Sequence, residues 1–292
     1  MAKCVSFVVV AIFIVMYPLT QVFAQQGGGD KILFALKVPG DVPTGVVNAE
    51  IVNGEFVRND GGFGLPENSV IYSTMSVDGR VLVAASLMRG GGRIVSVGGE
   101  NEPILVPASG TVAVREGRRV YQGSIGRIDE FRLSPNGDRV RFIKSHDLPI
   151  GEVEGLALTG AGLVILWQDG SEQQFTTVPR REGGKLDFSL TSAEPVRADH
   201  VVAIASDGVD LLVLTNREVA QFEKLDVASG SFVSKEIWAL NVTLMTDASI
   251  AATASGAIYL ANGRTLYRLN AEASETIVEF PLGSHISAIS SR

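Results

Sequence analysis

A strand–turn–strand unit recurs along this chain and constrains its fold more than any other feature of the sequence. Each unit has a first run of small and apolar residues, a turn that contains glycine, and a second run that is strongly apolar. The turn glycines are Gly79, Gly117, Gly162, Gly208 and Gly256, at spacings of 38, 45, 46 and 48 residues. Apolar runs that alternate with turn residues at short intervals are typical of an all-β protein.

The size of the repeat predicts which all-β architecture the chain adopts. Two further strand-like runs follow each hairpin, so one repeat contains four strands in about 45 residues, which is the size of a β-propeller blade. The first run of each unit is rich in alanine, serine and threonine, as in residues 203–206 and 251–254. Small side chains suit the crowded innermost strand of a blade. The sequence therefore predicts an all-β propeller of four-stranded blades.

The two ends of the chain predict how the ring closes. Residues 285–291 match residues 200–206 in pattern, which indicates an isolated first strand at the C-terminus. Residues 31–38, 46–52 and 55–58 supply three further strands near the N-terminus. A composite blade built from both termini would remove the exposed sheet edges that favour aggregation. With five internal repeats, this blade predicts a six-bladed ring.

The segment 131–142 permits a second register for the repeat. Its Ser-Pro-Asn-Gly turn resembles the hairpin that joins the first two strands of a blade in TolB-type propellers. That placement would shift the blade boundaries between residues 99 and 149 and leave too few residues before Gly155 for the rest of a blade. We therefore expect it to be an outer hairpin of the second repeat.

The N-terminus has the pattern of a secretory signal peptide. Lys3 precedes an apolar run at residues 5–17, Pro18 ends the run, and small residues precede a cleavage point after Ala24. The alternative is an uncleaved membrane anchor, but the run is shorter than the roughly 20 residues needed to span a bilayer. The sequence thus predicts a signal peptide at 1–24 and a single exported domain at 25–292, in the periplasm or outside the cell.

Composition excludes several classes of function for the exported domain. The only cysteine of the chain, Cys4, lies in the predicted signal peptide. Thiol nucleophiles, iron–sulfur clusters and cysteine-ligated zinc are therefore excluded for the exported domain. The chain has a net charge of −7 and no basic stripe, which argues against a nucleic-acid partner. After residue 24 no apolar segment is long enough to predict a transmembrane helix.

Polar residues that precede the innermost strands are the candidate functional residues. His200 and His285 occupy equivalent positions at the start of such strands, and acidic residues stand at or near the matching positions of other repeats. His146 and Asp147 are predicted to lie in a loop that leads into the third repeat. Imidazole and carboxylate groups gathered at a channel rim can bind a ligand, bind a divalent metal or transfer protons. The predicted rim set is Glu152, Glu154, Asp199, His200, Asp247 and His285.

Residues 256–269 resemble the broad group of six-bladed propellers that includes NHL-type repeats, gluconolactonase-like enzymes and streptogramin lyase. The resemblance is one of repeat pattern over most of the domain. It implies a central channel whose mouth binds ligands, with histidines in the lyase-like members and a carboxylate-and-amide metal site in the gluconolactonase-like members. The full ligand sets of those groups have no residue-by-residue match in this sequence.

The sequence leaves two functions from different classes open. No Gly-x-Ser-x-Gly, His-Glu-x-x-His, phosphate-loop or EF-hand motif is present. We therefore predict a non-catalytic exported propeller that binds a protein or a small extracellular ligand through one face. The alternative is a hydrolase or lyase with a His/carboxylate site at the channel mouth. No cofactor is predicted for the first, whereas a divalent metal is a possible cofactor of the second.

Overall fold

A computed structural model describes residues 30–37, 45–64, 70–77, 80–87, 91–97, 104–107, 112–135, 139–195, 200–216, 219–228, 231–271 and 273–291. Every regular element in these ranges is a β-strand. The predicted signal peptide at 1–24 lies outside the described residues. Within them, no helix is long and apolar enough to cross a membrane.

The described strands form six antiparallel sheets of four strands each, which we call blades 1 to 6. In chain order they are β1 (Asp30–Lys37), β2 (Gly45–Val52), β3 (Glu55–Gly64), β4 (Val70–Val77), β5 (Arg80–Leu87), β6 (Gly91–Val97), β7 (Ile104–Pro107), β8 (Ala113–Glu116), β9 (Arg119–Ser124), β10 (Arg127–Leu133), β11 (Val140–Asp147), β12 (Glu152–Leu158), β13 (Gly162–Asp169), β14 (Glu172–Pro179), β15 (Ser192–Pro195), β16 (Val201–Ser206), β17 (Leu211–Asn216), β18 (Ala220–Ala228), β19 (Ser231–Ala239), β20 (Ser249–Ala252), β21 (Ile258–Asn262), β22 (Thr265–Leu269), β23 (Ser274–Glu279) and β24 (His285–Ser291).

Blade 1 is the composite sheet that the two ends of the sequence predict. Its strand order is β24-β1-β2-β3, so the last strand of the chain pairs with the first. The pairing of β1 with β24 extends from Lys37 opposite His285 to Ile32 opposite Ser291. Blades 2 to 6 are β4–β7, β8–β11, β12–β15, β16–β19 and β20–β23. The first strand of each unit is innermost, as its small residues predict.

The six inner strands surround a central channel. In the ring β24–β4–β8–β12–β16–β20, each strand contacts the next, and β20 contacts β24 again. Five inner strands continue through a turn into their antiparallel neighbours, and β24, the last strand, pairs antiparallel with β1, so all six begin on one face of the ring. We call this the entry face, and the opposite face, where the inner strands end, the exit face. The backbone hydrogen bond from Gly160 N to Val209 O joins two neighbouring turns of the exit face.

The hydrophobic core consists of layers between adjacent blades. The layer between blades 1 and 6 contains Phe34, Ile286 and Tyr259 among its buried residues. Equivalent layers lie between blades 2 and 3, 3 and 4, 4 and 5, and 5 and 6. In blade 4 the second strand is buried on both faces from Leu163 to Leu166. Burial on both faces explains why the second run of each repeat is continuously apolar rather than alternating.

The outer hairpin of blade 3 settles the register of segment 131–142. Strands β10 and β11 are the third and fourth strands of that blade, so the segment is an outer hairpin, as expected. The prediction that His146 and Asp147 lie in a loop was wrong. They end β11, where His146 pairs with Ile128 and Asp147 with Arg127. The ladder with β10 continues to the blade's edge and takes in both residues.

Asp30, at the start of β1, joins the composite blade to blade 6. Its carboxylate accepts hydrogen bonds from Ser255 Oγ at 2.5 Å, Tyr259 Oη at 2.7 Å and Thr253 Oγ1 at 3.1 Å. Burial alone would raise the pKa of this carboxyl group, but these hydrogen bonds outweigh it and lower the pKa below its ordinary value. The N-terminal strand is therefore held on two sides, by pairing with β24 and by this polar contact.

Candidate functional site

The central channel contains a cavity of about 750 Å³. Residues of all six inner strands line it, from Thr246 and Asp247 at the entry face to Gly208 and Ala254 at the exit face. This volume lies within the roughly 300–1,000 Å³ range of small-molecule sites. The ring closure that brings the inner strands together thus also creates a concave site that all six blades line.

Small side chains make most of the channel wall. Alanine, serine and threonine recur on the lining strands, as in Ala203, Ala251 and Ser287. Thr74 Oγ1 and Ser290 Oγ lie 2.9 Å apart and link two neighbouring inner strands by a hydrogen bond. The charged residues that line the cavity in the described ranges are Arg115, Glu154, Asp207 and Asp247. The wall is therefore built largely of small side chains, and its charges lie near its two mouths.

At the entry mouth, His285 and Asp247 form a pair. His285 Nε2 lies 2.6 Å from Asp247 Oδ2, and both side chains are partly exposed. Asp247 lies in the loop before β20. Asn262 holds this loop, because its Oδ1 accepts a hydrogen bond from Met245 N at 2.8 Å and its Nδ2 donates one to Thr243 O at 2.9 Å. The rim thus contains one histidine–carboxylate pair, which joins the start of β24 to the loop before β20.

Glu154 lines the same cavity from blade 4, and a neutral side chain positions it. Gln173 Nε2 donates a hydrogen bond to Glu154 Oε2 at 2.6 Å. Gln173 is itself fixed to the start of β16, because its Oε1 accepts from Val201 N at 2.7 Å and its Nε2 also donates to Val201 O at 3.0 Å. The amide orients the carboxylate of Glu154 without supplying a compensating charge.

The remaining predicted rim residues do not join this group. Glu152 and His200 are exposed, and neither lines the cavity. The main chain of His200 accepts a hydrogen bond from Asn216 N at 2.9 Å, which continues the pairing of β16 with β17. Asp199 lies outside the described residues. Among the residues that are described, no three His, Cys, Asp or Glu side chains are close enough together to hold a metal ion.

The exit mouth has a different electrostatic character. Asp207 forms an ion pair with Lys224, whose Nζ lies 2.7 Å from Asp207 Oδ2. Burial alone would raise the pKa of Asp207. The hydrogen bonds from Lys224 and from the backbone of Asp210 and Val209 outweigh this effect, so the pKa lies below its ordinary value. The carboxylate at this mouth is thus neutralised by a neighbouring lysine.

A buried charged cluster between blades 3 and 4 was not predicted from the sequence. Glu130 is only 4% exposed. Its carboxylate accepts a hydrogen bond from Arg119, and its Oε2 lies 3.0 Å from His146 Nε2. The His146 ring stacks on Phe188, with ring centroids 3.5 Å apart. Burial lowers the pKa of His146 despite its bond to Glu130. Two consecutive acidic residues inside the strand run Ile128-Asp-Glu-Phe131 were the available signal.

Comparisons with known proteins identify the fold but no close relative. No protein-family model and no curated protein matches the sequence. A chain of the nidogen/laminin complex aligns with a TM-score of 0.60 and 12% identity, over 90% of this chain and 98% of that one. The fold is a β-propeller.

Two bacterial structures give similar alignments to this propeller. A candidate 6-phosphogluconolactonase from Bacteroides fragilis has a TM-score of 0.53 and 11% identity, over 91% of this chain and 98% of that one. A protein of unknown function from Desulfotomaculum acetoxidans has a TM-score of 0.55 and 10% identity, over 88% and 89% of the two chains. At such low identity the likeness shows the fold alone, since one fold supports many functions.

Proposed function

We propose that this chain is an exported, non-catalytic propeller that binds a protein or an extracellular ligand through its entry face. The observation that carries the proposal is the asymmetry of the channel. Its entry mouth presents Glu154, oriented by a neutral amide, and Asp247, oriented by His285. Its exit mouth presents Asp207, which is already paired with a lysine. Polar groups that line a cavity in a fixed orientation can bind a ligand.

The arrangement of side chains favours binding over turnover. His285 and Asp247 lie together, but within the described residues no hydroxyl or second carboxylate is hydrogen-bonded to the pair to act as a nucleophile or partner acid. The neighbour from the nidogen/laminin complex is a propeller of similar length that occurs in a protein complex. Channel mouths at the start of the inner strands are also where variable loops converge, and such loops carry function on rigid scaffolds.

Photo-crosslinking can test which face of the ring binds. Leu282 is 79% exposed in the turn before β24 and therefore lies on the entry face. Val209 is 66% exposed in the turn after β16 and lies on the exit face. We expect a photoreactive residue at Leu282 to crosslink a discrete partner in the native compartment, and one at Val209 to crosslink much less. Equal crosslinking from both positions, or crosslinking from Val209 alone, contradicts the proposal.

Export can be tested separately from binding. The apolar run at residues 5–17 and the small residues before Gln25 support cleavage of a signal peptide. N-terminal sequencing of protein recovered outside the cytoplasm should therefore begin at Gln25 or within a residue or two of it. Recovery of intact Met1 in a membrane pellet would instead support an uncleaved anchor.

A lactone hydrolase is the second candidate, and the His285–Asp247 pair favours it. A carboxylate that accepts from an imidazole can orient the imidazole as a general base. The fold neighbours also include a candidate 6-phosphogluconolactonase. Assay of sugar lactones with the wild type and with His285→Gln separates the two functions. Turnover that the substitution abolishes would support the hydrolase, whereas the binding proposal expects none above the uncatalysed rate.

A further inference from the structure

We propose that the entry mouth of the channel binds a cationic nitrogen group, a primary ammonium or a guanidinium. The inference rests on the proposed function, since it names the chemistry that the entry face would recognise. It follows from the charges at the mouth, the way they are held, the ring that accompanies them and the wall behind them.

The charged residues that line the entry end are both acidic, whereas one acidic and one basic residue, Asp207 and Arg115, line the exit end within the described residues. Glu154 and Asp247 are the charged groups that line the entry end within the described residues. Arg115 is the lining cation in the same ranges, and it belongs to β8 near the exit face, where its Nη1 donates to Gly117 O at 2.6 Å. An anionic ligand would therefore meet two carboxylates on entering, whereas a cation would meet complementary charge.

Glu154 is exposed, but a hydrogen bond holds its carboxylate in one orientation. The amide that holds it, Gln173, makes two hydrogen bonds to the backbone of Val201 and so is fixed across two blades. A neutral donor leaves the full negative charge of the carboxylate in place. Hydrogen bonds in which one partner is ionised are about twice as strong as those between neutral groups. A cation that reaches this mouth thus finds a preoriented acceptor.

An aromatic side chain lines the cavity together with the two carboxylates. Tyr72 is the third residue of β4, near the entry end, and its side chain is 39% exposed. It belongs to blade 2, which lies on the other side of the ring from the blade 4 and blade 6 residues that supply the carboxylates. Ammonium and guanidinium groups are attracted to the faces of such rings. Carboxylates with an aromatic ring favour a nitrogen cation over other ligands.

The same features argue against a metal ion as the occupant. A divalent cation requires several oxygen or nitrogen ligands around one point, and no three His, Cys, Asp or Glu side chains of the described residues are gathered to supply them. A nitrogen cation needs only one or two acceptors within hydrogen-bond distance. Behind the mouth, Ala203, Ala251 and Ile250 line a wall that an aliphatic stem can contact. The overall charge of −7 adds long-range attraction.

A titration with small probes tests this chemistry directly. The purified protein is titrated with n-butylammonium, and binding is followed by the ¹³C NMR shifts of its carboxyl groups. The controls are n-butanol and butyrate, a neutral and an anionic probe with a similar aliphatic stem. We expect saturable shifts with n-butylammonium alone, weakened by salt. Glu154→Gln and Asp247→Asn should each reduce its affinity about fivefold or more. Glu152→Gln is the matched control, because Glu152 lies two residues away on the same strand but does not line the cavity.

The outcomes distinguish this inference from the proposed function and identify the source of the cation. Equal binding of n-butanol, or an equal loss of affinity in Glu152→Gln, overturns the cation site, while crosslinking at Leu282 tests the binding face independently. A peptide with a single lysine that binds more tightly than n-butylammonium indicates the side chain of a protein partner. Tighter binding of spermidine indicates a free polyamine. Both results are consistent with the cation site. If n-butylammonium, the lysine peptide and spermidine all fail to bind, the cation site is refuted.

Discussion

Truncation after Gly283 tests whether the last strand of the chain closes the ring. The change removes β24, which pairs along its length with β1 and lies between the inner strands of blades 6 and 2. Two of the lost side chains are buried in the structure, because Ile286 is 0% exposed and Ile289 is 8% exposed. The truncation also exposes the edge of β1, whose residues 32–36 are buried.

The expected loss is large compared with the stability of a domain. Full burial of one isoleucine side chain contributes about 1.5–3 kcal/mol, so the two together contribute about 3–6 kcal/mol. Whole domains are stable by about 5–15 kcal/mol. In a chain of this size each kcal/mol corresponds to about 2–4 °C in the melting temperature. Truncation should therefore lower the melting temperature by about 10 °C or more, or cause aggregation through the exposed edge.

Differential scanning calorimetry of the full and truncated exported domains measures this effect, and two point variants serve as matched probes. Ile286→Ala should destabilise the domain by about 2–5 kcal/mol, because it leaves a cavity between blades. Ile143→Ala, on the outer strand β11 where the side chain is 42% exposed, should change stability by less than about 1 kcal/mol. An unchanged melting temperature after truncation would refute the closed ring and the position of His285 at its rim.

Three further predictions concern the polar clusters and a tight backbone contact. The pKa of His146 is lowered by burial in the folded state, so the unfolded chain binds the proton more readily. Stability should fall as pH decreases from about 7 through the ordinary histidine value near 6.5, and His146→Gln should flatten this slope in urea unfolding at pH 7.5 and 5.5. Gly151→Ala would place a Cβ against a backbone carbonyl of β13 and should cost about 2 kcal/mol or more. Gly160→Ala, which meets only ordinary contacts, should cost clearly less in the same denaturation assay. Asp30→Ala removes the acceptor of three hydroxyl groups and should lower stability by about 2 kcal/mol, whereas exposed Lys31→Ala should have little effect by thermal unfolding.

Much of the fold could be predicted because the repeat is dictated by local physical requirements. Turns with positive φ require glycine, and Gly117, Gly208 and Gly256 have φ of 55°, 94° and 85°. Second strands that are buried on both faces must be continuously apolar. The composite blade was predictable from the match of residues 285–291 to residues 200–206, since an isolated first strand needs partners from elsewhere in the chain. The error at His146 concerned only how far β11 extends.

The site was predicted less completely because side-chain partners are set by contacts between distant residues. The structure brings His285 and Asp247 together at one rim, and Asn262 hydrogen-bonds to the backbone of the loop that carries Asp247. Glu154 lines the channel, whereas Glu152 on the same strand does not. Glu152 pairs with Gln168 in the ladder, but Glu154 lies in an irregularity of that ladder and bonds to Gln173 on β14. Neither contact leaves a pattern in the sequence. A buried Glu130 in an otherwise apolar run was such a pattern and could have been used.

The location of the candidate site follows from the direction of the inner strands. Connections between blades all lead into the start of an inner strand, so they converge at the entry face together with the turns between second and third strands. These connections can be long, as between Ala239 and Ser249, and can carry side chains such as Asp247 over the channel. At the exit face the turns of blades 4 to 6 are short and glycine-containing, and backbone bonds such as Gly160 to Val209 hold them together. A ring of this kind can change its ligand through the entry loops without disturbing the layers between blades, where charged side chains such as Glu130 are buried and paired.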